Sequence, residues 1–344
     1  MVQKKITYHI VGDGIAGLML AWALHKAKHD FIVYASPVKN TASAVAGGLI
    51  NPITGMRFVK TWLADELFPF AEKTYREIEN ELNISFFQPI QILRIAESIA
   101  SLNDWQARVQ SDTFRNYVTE IPIDEKLFRE LPNAVGAVGI RGAAKIETNI
   151  LLNELRDFFA QEKKLIRKDV NANDFSENEM VIFCEGKYAS ENALFANLPL
   201  KLVKGHYLVC DIPDLKIDFV LHGKATVIPQ PGGLYRIGST YQWDFDDDKI
   251  EETQVIELTQ MLRETIRLPF EIKDVLVGIR PASPDRRPIL GSHPEFPNRH
   301  IFNGLGTKGF SLAPYFASVL CAHLVNGKEI SKEVDVKRFF KKEF

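Results

Sequence analysis

Cysteine is scarce. The 344 residues hold three, Cys184, Cys210 and Cys321, far apart and without metal-ligand spacing. That excludes a disulfide framework and a cysteine-built metal centre, and no metal is expected. Neither sign of charge dominates: 42 Lys and Arg stand against 44 Asp and Glu, and a net charge of −2 supplies no basic field for nucleic acid. Long hydrophobic runs are missing as well. The longest early one, residues 14–24, is too short to span a bilayer, and it follows a strand pattern and a glycine turn rather than the basic start of a signal peptide. These absences lead us to expect a cytoplasmic protein with no membrane and no nucleic-acid partner. No internal repeat, low-complexity tract or Ser/Gly-rich linker occurs, so two beads on a tether are excluded.

What is present is an ordinary globular balance, 46% apolar and 25% charged, on a chain long enough for two domains. An apolar run at 6–11 leads into Gly12-Asp13-Gly14-Ile15-Ala16-Gly17, then a helix-period segment at 18–28 and a second run at 31–34. Strand, glycine turn, helix and strand in that order predict a parallel βαβ unit. Leu63, Leu67, Phe70, Tyr75, Ile78 and Leu82 recur at helical spacing, with Pro69 at an early turn or kink. The pattern then changes. Strands are expected at 90–95, 135–140, 201–210, 219–221, 226–229 and 234–238, and helices at 150–159 and 255–266. Near the end come a short strand at 301–302, a glycine loop at 304–309, and a helix at 311–325 closed by Gly327.

Each glycine of the first turn has a mechanical task. Gly12 permits the tight turn, Gly14 lets a pyrophosphate approach the backbone, and Gly17 lets helix and strand pack closely. The unpaired N–H groups at the helix start, those of Ile15 and Ala16 among them, would face the phosphates. Two features run against this pattern. The acid that normally ends the second strand and holds the ribose is replaced by Ala35, followed by Ser36, and Asp13 places a negative charge in the phosphate turn.

The second glycine loop closes a longer signature: Gly278-Ile279-Arg280-Pro281-Ala282-Ser283-Pro284-Asp285, then Arg287-Pro288-Ile289-Leu290-Gly291, then Phe302-Asn303-Gly304-Leu305-Gly306-Thr307-Lys308-Gly309-Phe310-Ser311-Leu312-Ala313-Pro314. This resembles the closing segment of the D-amino-acid oxidase superfamily, the flavoprotein group that includes glycine oxidase and monomeric sarcosine oxidase. Ser43 with Gly47-Gly48 resembles the family's loop beside the flavin, Gly186 its flavin-contacting glycine, and Val170 the residue whose backbone meets the adenine. Residues 203–206 and 227–240 resemble strands of its substrate domain.

The resemblance implies an α/β FAD-binding Rossmann-like domain of glutathione-reductase type with an inserted antiparallel-sheet α+β substrate domain. The expected division is 1–85, 146–200 and 280–344 for the first, and 86–145 and 201–279 for the second. It implies FAD held by Gly12, Gly14, Ile15, Ala16, Gly17, Ala35, Ser36, Ser43, Gly47, Gly48, Val170, Gly186, Gly304, Gly306, Thr307, Lys308 and Gly309. Covalent-flavin members carry a cysteine where this chain has Gly278, so FAD is expected to be non-covalent.

The implied activity is that of an FAD-dependent amine or amino-acid oxidase or dehydrogenase. It would oxidise the C–N bond of a small amino or imino acid or N-substituted glycine by hydride transfer to flavin, passing electrons to dioxygen or another acceptor. Arg280 stands where the family places its carboxylate-binding Arg; its structural alternative is an ion pair with Asp285. Lys308, with the helix start behind it, would stabilise charge on the reduced flavin, or else be a solvent-facing lysine. Arg57 and Lys60 resemble two basic residues beside the flavin in sarcosine oxidase, against simple surface charge. No general base is assigned, and His206, His222, Tyr241 and Trp243 are left without roles. Two alternatives stay open: oxidation of a secondary amine on modified tRNA, and a catalytically silent FAD-binding protein.

Overall fold

A computed structural model describes residues 6–37, 41–55, 58–109, 111–119 and 123–340. Arg57, and Lys341 and Lys342 of the basic C-terminal tail, lie outside the described residues.

The expected βαβ unit is present as β1 (Thr7–Val11), α1 (Ile15–Lys26) and β2 (Asp30–Ala35), with β1 and β2 parallel and in register from Thr7 opposite Asp30. α1 begins three residues earlier than the periodicity suggests, because Gly14 is its N-cap and Ile15-Ala16-Gly17 forms its first turn. Met180–Phe183 lies parallel on the other side of β1, and Arg299–Asn303 parallel beyond that. Leu165–Arg167 extends the sheet past β2, and Ile289–Ser292 closes the opposite edge antiparallel. Strands from the start, the middle and the end of the chain therefore share one six-stranded sheet.

α1 is apolar nearly all round, and its buried Ile15, Leu18, Leu20, Trp22 and Leu24 belong to the main core. The last helix, Gly309–Asn326, supplies Phe310, Leu312, Phe316 and Leu320 to the same core. Residues Gly306–Asn326 are long and apolar enough to cross a membrane by length and composition. Their packing against α1 and the Ala64–Leu82 helix accounts for that apolar character as core.

A second sheet of nine strands is antiparallel except where Val220–His222 runs parallel to Phe87–Ala96. Among the described residues its path runs Glu271–Ala282, Lys201–Asp211, Leu234–Gly238, Thr226–Pro229, Val220–His222, Phe87–Ala96, Gly136–Ile146 and Leu49–Ile50, and the ninth strand, Val118–Thr119, pairs with Gly136–Ile146 off that path. One face carries the Glu252–Thr265 helix, whose Leu258 and Leu262 pack on Leu208, Val227 and Ile237. The other face looks toward the glycine loops. Two strands run longer than expected because hydrophobic alternation is broken inside them by a bulge at Ile90/Ile92 and by the positive φ of Gly142. By pairing, Leu49–Ile50 belongs to the second sheet although it precedes residue 85, and Glu271–Ala282 crosses the expected boundary at 280. We keep the two-domain division as a proposal, with those two strands reassigned.

Candidate functional site

The phosphate turn is shaped by backbone crowding. Gly12 has φ +109, and a Cβ there would lie 2.4 Å from the carbonyl oxygen of Cys184. A Cβ at Gly17 would lie 1.9 Å from the Gly12 oxygen. No side chain fits at either place, so the turn sits flush against the ends of β1 and Met180–Phe183. The Ile15 N–H donates to Ser43 Oγ at 3.1 Å, and Ala16 is buried one residue further on. Gly14 faces Ser43 and Thr41.

Asp13 does not charge the turn. Arg156, from the Thr148–Gln161 helix, donates from Nε to Asp13 Oδ2 at 2.7 Å and from a second nitrogen to the Asp13 carbonyl. Both side chains are mostly buried, so the carboxylate is drawn sideways and neutralised.

The other expected cofactor residues gather around this turn. Ala35 is buried at the end of β2 with Ser36 beside it, and Val170 packs with Val11, Val181 and Phe183. Gly48, with φ +66, presses on the Ile146 carbonyl, while Gly47 lies under Tyr207 and Ile228 of the second sheet. Gly186 and Gly304 are joined by Asn303: its Nδ2 donates to the Gly186 carbonyl at 2.9 Å, and its Oδ1 accepts from the Gly304 N–H at 2.8 Å. Gly306 stands against Ala282, and a Cβ at Gly309 would meet Ile15 Cγ2 at 3.1 Å. Thr307 is exposed between them. The two glycine loops, almost 300 positions apart in the sequence, are thus in direct contact at Ile15 and Gly309.

Lys308 is half-buried. Its Nζ donates to Thr54 Oγ1 at 3.4 Å and Thr61 Oγ1 at 3.3 Å. Burial, then the charges of Arg286 and Arg287, push its pKa below the ordinary lysine value. No carboxylate stands within ion-pair distance among the described residues. It is not the solvent-facing lysine of the alternative reading. Lys60 is placed differently. Its ammonium pairs with Asp65 and lies 5.2 Å from the Tyr117 ring centroid, so its charge is already matched.

Arg280 is buried on the face of the second sheet that looks at the cofactor loops. Gly278, on the same face, leaves no room for a side chain, since a Cβ would lie 2.3 Å from Val45 Cγ2. Asp285 pairs with Arg338 at 3.0 Å, not with Arg280. Arg280 instead donates from Nη1 to the Thr240 carbonyl at 3.3 Å, and no described carboxylate is within ion-pair distance of it.

The arrangement fits a dinucleotide on this chain's own evidence. Thr41 Oγ1, beside Gly14, is buried without a hydrogen-bond partner among the described residues, and a phosphate oxygen would satisfy it. The glycine cradle that a Cβ would fill, and Lys308 with no carboxylate partner among the described residues, stand on the two loops that meet at Ile15 and Gly309. Thr41, Asn303, Thr54 and Thr61 were not predicted from the sequence. Asn303 stands inside the late signature, but no role follows from its place there, and no spacing pattern marks the three threonines.

A fold and site of this kind define a flavin-dependent oxidoreductase. The family model described as FAD dependent oxidoreductase matches residues 8–323, and the chain belongs to that family. Its cofactor is FAD. The chain is 22% identical to glycine oxidase of Pseudomonas putida, over 89% of this chain and 90% of that one. It is 27% identical to the bifunctional protein MnmC of tRNA 5-methylaminomethyl-2-thiouridine biosynthesis from Idiomarina loihiensis, but over 153 residues, 41% of this chain and 25% of that protein. Among solved structures it resembles glycine oxidase from Geobacillus kaustophilus, with TM-score 0.79, 20% identity and 98% of each chain covered. It also resembles iminodiacetate oxidase from Chelativorans sp. BNC1, with TM-score 0.77, 20% identity, and 96% and 98% covered.

Proposed function

We propose that this chain oxidises the C–N bond of a small amino or imino acid or an N-substituted glycine, with Arg280 anchoring the substrate carboxylate. The observation that carries the reading is a buried guanidinium, on the face turned toward the cofactor loops, with no carboxylate partner among the described residues. A buried arginine left without a counter-ion is costly unless an anion completes it. Bidentate pairing would orient the substrate as well as bind it.

When bound, FAD supplies the two-electron acceptor for a hydride leaving the carbon that bears nitrogen. The chain's residues do the rest by placement. Arg280 fixes the carboxylate and so the face of the reacting carbon. Lys308, steadied by Thr54 and Thr61, holds positive charge where negative charge would develop, together with the start of the Gly309–Asn326 helix. The substrate amine loses its proton to solvent and the resulting imine is hydrolysed in water, so no protein base is assigned. Lys60, paired with Asp65, has no part in this scheme.

The test is an anaerobic absorbance screen of the purified yellow protein with sarcosine, glycine, proline and D-amino acids, followed by admission of air. Bleaching by a carboxylate-bearing amine is expected. Colour that persists against the whole panel would favour a catalytically silent protein. Protein that cannot be reconstituted with FAD would overturn the reading.

A second reading, oxidation of a secondary amine on tRNA, draws on the similarity to MnmC and on the exposed ring of Tyr241, whose centroid is 5.1 Å from Arg280 Cζ. Retention of tRNA at low salt, with bleaching by modified tRNA alone, would move the assignment there.

A further inference from the structure

We propose that Gly205 is a positioning residue for Arg280: the side chain it lacks is the seat of the guanidinium, and Tyr241 closes that seat from above. The inference rests on Arg280 as the carboxylate anchor and adds what fixes its plane. Lys201–Asp211 and Glu271–Ala282 pair antiparallel, with Gly205 opposite Gly278 and Val203 opposite Arg280. Gly205, Gly278 and Arg280 therefore share a sheet face, and Arg280 lies diagonal to Gly205. A Cβ at Gly205 would lie 2.2 Å from Arg280 Nη2, 2.6 Å from Cζ and 2.8 Å from Nη1. The guanidinium occupies the volume that a side chain at Gly205 would take.

The guanidinium also stands over the Tyr241 ring, whose centroid is 5.1 Å from Cζ. Its Nη1 edge is tethered to the Thr240 carbonyl. With Nη1 committed, Nε and Nη2 form the edge left for a two-point grip on a carboxylate.

The neighbours of Gly205 hold the lid. Lys204 exchanges 2.9 Å backbone hydrogen bonds with Gln242, and the His206 N–H donates to Thr240 Oγ1 at 3.0 Å. On the far face, the fully buried Lys204 ammonium pairs with Glu251, whose other oxygen accepts from Gln242 Nε2 at 2.8 Å. Lys204-Gly205-His206 thus works on both faces at once. Its middle residue seats the anchor, and its outer residues pin the segment that brings Tyr241 over it.

The experiment measures binding of benzoate, an unreactive planar carboxylate, to the FAD-loaded protein by calorimetry, with flavin content and visible spectrum as controls. Gly205→Ala is expected to raise Kd at least tenfold while both controls stay unchanged. In an Arg280→Lys background, whose slender ammonium does not occupy the seat, Gly205→Ala should change Kd less than twofold. Tyr241→Ala, at an exposed ring, should weaken benzoate about threefold, and it decides the matter if Gly205→Ala does not fold. Benzoate affinity unchanged in Gly205→Ala, or in Tyr241→Ala where that variant decides, or an equal loss in both backgrounds, overturns the proposal. Wild-type protein that is yellow yet binds no benzoate and bleaches with no carboxylate-bearing amine brings down the anchor reading itself, a distinguishable result.

Discussion

The hydroxyl of Tyr75 donates a 2.6 Å hydrogen bond to the carbonyl of Phe310. That carbonyl is the one Pro314 would serve in a regular helix, four residues on, had it an N–H. Pro314 sits in the second turn of Gly309–Asn326, because that helix begins at Gly309, two residues before the expected start at 311. A fully buried tyrosine replaces the missing donor next to the cofactor loop.

Tyr75→Phe should therefore leave a buried carbonyl unpaired and cost about 2 kcal/mol. Chemical denaturation of the holoprotein checks this. Pro314→Ala added to Tyr75→Phe should recover part of the loss, since it restores the N–H.

Arg156→Met releases the Asp13 carboxylate beside the phosphate turn. FAD affinity should fall about tenfold, equivalent to about 1.4 kcal/mol. Flavin fluorescence titration of the apoprotein measures it. Asp13→Asn in the same chain should restore binding, whereas a purely structural role for the pair would leave the double variant as weak as the single one.

Lys308→Met should retain FAD yet lower the rate of substrate-dependent bleaching about 100-fold. Because burial and two neighbouring arginines depress the Lys308 pKa, its charge is lost at a lower pH than for an ordinary lysine. The wild-type rate should fall on the alkaline side as that proton leaves, and Lys308→Arg should carry the limb to higher pH. Stability runs the opposite way: the penalty of a buried ammonium is relieved as pH rises from the depressed value toward 10.5.

Acid should destabilise the fold through two imidazoles. Burial lowers His222 to about 4, with Arg94 adding to the effect, and lowers His300 to about 3, with His323 and Arg299 adding. Below pH 6.5 the unfolded chain binds these protons and the folded chain does not, so each histidine removes up to about 1.4 kcal/mol per pH unit. Melting temperatures between pH 7 and 4.5 should show His300→Asn less steep than wild type; an equal slope would remove His300 from the account.

Local chemistry explains what could be read from the sequence. Gly12, Gly14 and Gly17 act within a few residues of one another, so their spacing alone carries the turn. The motif drew attention to Arg280, but nothing in it points to Gly205, which meets Arg280 only through the register of two strands far apart in sequence. Thr54 and Thr61 come to Lys308 by the fold of a short hairpin with no periodic signal. Asp13 looked unfavourable because its partner, Arg156, stands on a helix that spacing cannot connect to the turn. The Lys60 resemblance failed to foresee Asp65, five residues on, as a competing partner.

Strand β1 pairs on one side with β2 of the same βαβ unit, but its other flank needs Met180–Phe183, and the sheet is finished only by Arg299–Asn303. For most of its synthesis the nascent molecule carries a bare ladder of amides and carbonyls, open to mispairing. The contact between the two glycine loops, at Ile15 and Gly309, can therefore form only once the chain has been made as far as residue 309.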